Sequence, residues 1–368
     1  MAGRTLLFAF MALLGAAALP MPPAQAADAP RFQVDPFWPK PLPNNWILGQ
    51  VAGVATDAQD HVWIIQRPRT LTPDEMGAAL VPPRSKCCIP APPVIEFDAA
   101  GNVVQAWGGP GAGHDWPTNE HGIYVDPKGF IWVGGNGPED GLVLKYTREG
   151  KFLLQIGHEG PSLGSNDHTQ LGRPADTRVD PETNELYVAD GYGNHRVIVF
   201  DAETGAFKRQ WGAYGNQPDD VAQTYDPKAG PARQFGNPVH CVKLARDGLV
   251  YVCDRQNDRV QVFRHDGTFV TEWFYDRATL GSGSVWDLGM WPDGPQSFLF
   301  IADGSNNEVR VIERATGGVL ATFGRSGRQA GQFHWIHNIA LDSHGDIFTT
   351  EVDNGKRVQR FVPVNGGP

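Results

Sequence analysis

Along most of the chain, apolar and polar residues alternate with a period of two, in runs of four to eight residues broken by Asp-Gly, Glu-Gly or Asn-Gly-like turns. That period sends successive side chains to opposite faces of an extended backbone, so the runs predict short strands joined by tight hairpins. Helical periodicity is nearly absent. The runs also group into units that recur at an interval of about 40 to 55 residues. One unit reads HGIYVDPKGFIWVGGNGPEDGLVLKYTREGKFLLQIG from His121; another reads HCVKLARDGLVYVCDRQNDRVQVFRHDGTFVTEW from His240. A third starts at Ala175, and weaker copies start near Gly53, Val285 and His337. Six units of up to four antiparallel strands predict an all-β fold, a six-bladed β-propeller. The last copy lacks an outer strand, which RFQVDPFWP (31–39) is expected to supply, since an unclosed ring would expose a sheet edge.

The first 30 residues do not fit the repeat. They carry Arg4, an apolar stretch from Leu6 to about Leu19 and the small-residue run Ala24-Gln25-Ala26. Together these predict a secretory signal over 1–26, with the propeller spanning 27–368 and an exported, periplasmic or secreted protein with no membrane span after cleavage. The net charge is −10, and removing Arg4 takes it to about −11, scattered without blocks. Nucleic acid as a partner is excluded on that ground, because phosphate backbones select basic faces. Of the four cysteines, Cys241 and Cys253 fall on neighbouring predicted strands, while Cys87-Cys88 sit in a proline-rich insertion; the sequence leaves their pairing open.

Chemistry enters through a register count. His121, His240 and His337 each stand just before the first strand of a unit, and each is followed eight positions later by a turn glycine: Gly129, Gly248 and Gly345. The same slot holds Ala52, Ala175 and Trp286 in the other three units. In a propeller the first strand of each blade lines the central channel. Histidines on every second blade would therefore converge near the axis, giving three neutral nitrogens and an open fourth position, the pattern of a catalytic zinc site.

With its neighbours, this slot pattern resembles the peptidyl-α-hydroxyglycine α-amidating lyases, propellers of NHL-type repeats. Their zinc histidines open with P-H-G-L-, P-H-S-L- and P-H-D-I-like stretches, matched at His121-Gly122-Ile123, His240-Cys241-Val242 and His337-Asn338-Ile339. The resemblance implies that Tyr192, in VADGYGNHR, is the catalytic tyrosine. It implies Arg255, in CDRQNDRVQ, and Arg67, in WIIQRP, as active-site arginines. It also implies a structural calcium held by the Val54 and Ile123 carbonyls and by the residue after the third histidine, where Asn338 stands instead of aspartate. Gly193 and Val262 occupy two positions where the family has disulfide cysteines.

The activity so implied is cleavage of the C–N bond of a peptidyl or N-acyl α-hydroxyglycine, giving an amide and glyoxylate. The substrate, small molecule or peptide, would end in a carboxylate held by the arginines, with Tyr192 as base. Two other functions suit such a ring: a metal-dependent hydrolase or lactonase of the propeller type, and a non-catalytic NHL-repeat binding platform.

Overall fold

Six four-stranded antiparallel sheets account for all but two of the strands, in a computed structural model that describes residues 29–368 apart from Ala112 and Asn365. The leader expected over 1–26 lies outside the described residues. Among the described residues, no helix is long and apolar enough to cross a membrane.

The innermost strands of blades one to six are Gln50–Thr56, Glu120–Val125, Asp176–Val179, Val239–Leu244, Asp287–Met290 and Ile336–Leu341. In blade six the outer edge is Phe32–Asp35, running antiparallel to Arg357–Pro363. The first and last of the described strands therefore share one sheet. The remaining strands, Trp46–Ile47 and Ile89–Pro90, pair in parallel and brace the proline-rich insertion of blade one.

Alternation along each strand explains the ring. In the second strand of blade one, Trp63 and Ile65 enter an apolar cluster shared with blade two, while Val62 and Ile64 enter one shared with blade six. Every adjacent pair of blades encloses one such cluster, and the pairing of blade six with blade one through Phe348, Val358, Val51 and Trp38 closes the circle. Among the described residues the apolar core is shared out between neighbouring blades instead of filling one central space. At the turn after each histidine-bearing strand, Gly129, Gly248 and Gly345 take φ of +84°, +81° and +81°. Only glycine adopts that backbone at no steric cost, which is why the count of eight is the same in all three blades.

Cys241 and Cys253 face each other directly on the first two strands of blade four and form a disulfide, with Cα atoms 4.8 Å apart. Cys87 and Cys88 form a second, between adjacent residues.

Candidate metal centre

The slot residues occupy bulges. In blades one, two, four and six the pairing between first and second strands shifts register at the slot: between Val51 and Gly53, Glu120 and Ile123, Val239 and Cys241, and Ile336 and Asn338. A bulge inserts an unpaired residue and re-aims its side chain. In blades two, four and six that residue is histidine, and the ring is turned towards the axis.

The three imidazoles meet there. Their centroids are 5.0 Å (His121–His240), 4.7 Å (His121–His337) and 4.9 Å (His240–His337) apart, nearly an equilateral triangle. One ring nitrogen from each lies within 4.8 Å of the other two. All three side chains are buried.

Their outer nitrogens settle the tautomer. His121 Nδ1 lies 2.9 Å from the Ala175 carbonyl, His337 Nδ1 lies 2.8 Å from the Ala52 carbonyl, and His240 Nδ1 bonds the Trp286 carbonyl. The acceptors are the slot residues of blades three, one and five. Each histidine is thus held by the backbone of the next blade at the equivalent position. A carbonyl can only accept, so Nδ1 carries the proton and Nε2 presents a lone pair.

The rings are also held neutral. Burial pushes all three imidazoles down, His337 to about 3 and the other two well below the ordinary value; Arg255 pushes all three the same way, Arg67 pushes His121 and His337, and neighbouring histidines push His121 and His240.

Tyr192 stands over this triangle. Its hydroxyl is 3.0 Å from His121 Nε2, 3.0 Å from His240 Nε2, and accepts a hydrogen bond from Arg255 Nη1 at 3.1 Å. None of the hydrogen bonds made by His337 uses Nε2. Three inward lone pairs therefore share a single phenolic proton. A buried set of acceptors so short of protons fits a bound cation, and three neutral imidazole nitrogens suit zinc.

Arg255 lies over the Trp286 ring, its guanidinium carbon 4.4 Å from the ring centroid, and its buried Nε has no hydrogen-bond partner. Arg67 differs. Its Nε donates to the Glu120 carbonyl at 2.7 Å and Nη1 to Gln50 Oε1 at 2.8 Å, while Nη2 makes a longer bond to Asn136 Oδ1 at 3.4 Å. Burial lowers it to about 10, against the pull of the Tyr192 hydroxyl and Glu120. It is a fixed positive charge beside the histidines.

The positions named for calcium lie along the strands below the slots. Val54 and Ile123 are buried, and Asn338 is engaged on both ends of its amide: Oδ1 with His337 Nδ1, and Nδ2 with Asp287 Oδ2 at 3.0 Å.

Two rim residues escaped the register count. Arg173 places its guanidinium 5.8 Å from the centroid of the Tyr192 ring and donates from Nε to the Asn136 carbonyl at 2.8 Å. Trp335, 37% exposed, packs edge-on against Trp286. Both stand two residues before a slot, as do Gln50, the partner of Arg67, and Asn119, the partner of Arg69. Counting two residues back from each slot was the signal that would have found them.

The NHL repeat family model matches residues 171–200, the stretch that carries Tyr192. The chain is 29% identical over 356 residues to NHL repeat-containing protein 3 of Mus musculus, covering 91% of this chain and 85% of that protein. It is 27% identical over 235 residues to the Mus musculus peptidyl-glycine alpha-amidating monooxygenase, covering 59% of this chain but only 21% of that longer protein. To a probable peptidyl-alpha-hydroxyglycine alpha-amidating lyase of Caenorhabditis elegans it is 30% identical over 146 residues, 39% of this chain and 36% of the relative. Among solved structures, a streptogramin B lyase superposes with a TM-score of 0.52 at 13% identity, covering 90% of this chain and 98% of the other, a likeness of fold alone. The protein is thus an all-β, six-bladed propeller of NHL-type repeats, with amidating enzymes among its distant relatives.

Proposed function

We propose that this protein is a zinc-dependent lyase that cleaves the C–N bond of an N-acyl or peptidyl α-hydroxyglycine, releasing an amide and glyoxylate. The observation that carries the reading is the juxtaposition of three inward Nε2 lone pairs with the Tyr192 hydroxyl and the Arg255 guanidinium. The amidating relatives support it.

A zinc ion held by His121, His240 and His337 would supply Lewis acidity to a substrate oxygen. The chain's own residues do the rest. Arg255, with an unpartnered buried Nε, grips the substrate carboxylate, and its contact with the Trp286 ring helps to hold the guanidinium in place. Arg67, tied down by Glu120 and Gln50, adds positive potential without having to move. The Tyr192 oxygen, entering the step as the phenolate after giving up its own proton on metal loading, takes the proton of the substrate hydroxyl. As that C–O becomes a carbonyl, the bond to nitrogen breaks and its electron pair stays on the departing amide. The amide nitrogen then takes a proton back from the Tyr192 hydroxyl. Protons balance, and no oxidant or water is consumed.

The extended match to NHL repeat-containing protein 3, whose name states a repeat and no reaction, favours a second reading, a binding platform. Zinc content measured together with glyoxylate release from a hydroxyglycine peptide separates the two. The lyase gives about one zinc per chain and turnover that His240→Ala abolishes; a platform gives neither.

A further inference from the structure

Directly below the histidines the channel changes character. Lys243, three residues along from His240, is buried, and its Nζ lies 2.9 Å from Asp176 Oδ2 and 2.7 Å from Asp287 Oδ1. Asp176 also pairs with Arg178 at 2.7 Å. Asp287 directly follows the slot of blade five, and its other oxygen accepts from Asn338 Nδ2 and from the Ile339 N–H, both at 3.0 Å. One ammonium thus joins the innermost strands of blades three, four and five, and through Asp287 reaches blade six.

We propose that the Lys243 ammonium serves as the built-in second cation of this channel, in place of calcium, and that it positions the metal-binding histidines. Charge balance supports the first half. Asp176 and Asp287 stand against Lys243 and Arg178, two negative charges to two positive. A divalent ion at Val54, Ile123 and Asn338 would find two neutral carbonyls and an amide whose oxygen is already engaged with His337. The nearest carboxylate, Asp287, is engaged with Lys243. Calcium prefers six to eight oxygen ligands including carboxylates, and this set does not fit it. Val54 and Lys243 both line the cavity of about 330 Å³ beneath the axis, which presents no carboxylate for a divalent ion.

Connectivity supports the second half. From Lys243 the bonds run to Asp287, from Asp287 to Asn338, and from Asn338 to Nδ1 of His337. On the other side Lys243 holds Asp176, whose preceding residue, Ala175, offers the carbonyl that orients His121. Groups that hold the outer nitrogen of a metal-binding histidine commonly change metal affinity about 10- to 100-fold when removed.

The inference rests on the zinc reading for its second half but not its first, and the test keeps them apart. Purified wild type is melted with millimolar calcium and with EGTA, both metal-free and zinc-loaded, and its calcium content is measured after dialysis. The melting temperature should stay within about 1 °C throughout, with no calcium retained. A calcium-dependent rise, or one calcium retained per chain, overturns the built-in cation. Zinc affinity is then read by chelator competition at a temperature where every variant is folded. Lys243→Met should weaken zinc about 10-fold or more. The double variant Lys243→Met with Asp287→Asn, which leaves no unpaired carboxylate, should fold and still bind zinc weakly. Wild-type zinc affinity in the folded double variant overturns the positioning role, and absence of zinc in the wild type overturns the proposed function while leaving the calcium result to stand.

Discussion

Two adjacent layers of the channel, both built by the first strands of the blades, treat charge in opposite ways. In the lower layer Asp176, Asp287, Lys243 and Arg178 cancel one another through contacts of 2.7–2.9 Å. In the upper layer three neutral imidazoles turn their lone pairs inward with one phenolic proton among them. The lower layer is complete as the chain folds; the upper layer is short of positive charge at its centre and has excess positive charge at its rim. The difference separates a structural device from a candidate binding site by donors and acceptors, since the histidines, Asp176, Asp287 and Lys243 are all buried.

Mutations should divide along the same line. The largest effect expected on chemistry is that of Tyr192→Phe, which should lower kcat by about 10²–10⁴-fold with zinc content unchanged; near-normal turnover would remove Tyr192 from the proton transfers. In the lower layer, Asp176→Ala leaves Lys243 and Arg178 short of a buried partner. Breaking such a pair costs about 3–5 kcal/mol, which should lower Tm by roughly 4–7 °C in a domain of this size, as read by thermal melting. By contrast, His240→Ala in metal-free protein should lower Tm less, because it strands the Trp286 carbonyl but no buried charge. If both variants lost similar stability, the division between layers would fail.

Smaller effects should appear at the rim. Arg173→Ala is expected to raise KM roughly 3- to 10-fold with kcat unchanged, the signature of binding lost equally from ground and transition states; steady-state kinetics on the hydroxyglycine substrate read it directly. The smallest effect concerns Asp258, outside both layers, where one buried carboxylate oxygen has no hydrogen-bond partner. Burial pushes its carboxyl up to about 7. A raised folded-state value means that the native state holds the proton more tightly than the unfolded chain. Stability from this group is therefore fully present below about pH 4 and declines as pH rises towards 7. Asp258→Asn, with a residue that tolerates the φ of +54° found there, should remove that decline. Melting curves at pH 5 and pH 8 should show the gain over wild type growing with pH; an equal or smaller gain at pH 8 would contradict it.

Much of this was legible in the sequence because propellers are built from local signals. Alternation and turn glycines report strands and hairpins directly, and a count of eight residues put three histidines in equivalent slots. What the count could not show is how those histidines are held. The acceptors at Ala52, Ala175 and Trp286 are backbone carbonyls, and a carbonyl has no sequence signature. The bulges that turn the rings inward are equally silent. Lys243 sits in HCVKLARDG, where alternation reads it as an ordinary polar position; only the closed ring brings Asp176 and Asp287 against it. The Cys241–Cys253 pairing required the strand register, and Arg173 lay outside the positions that the family resemblance picked out.

The central claim is that the three-histidine triangle binds a transition metal. An equilibrium zinc titration of metal-free protein tests it most directly. The account predicts saturation at about one zinc per chain, abolished by His240→Ala while that variant stays folded. A wild-type protein that takes up no zinc, or a His240→Ala variant that binds it equally well, would contradict it.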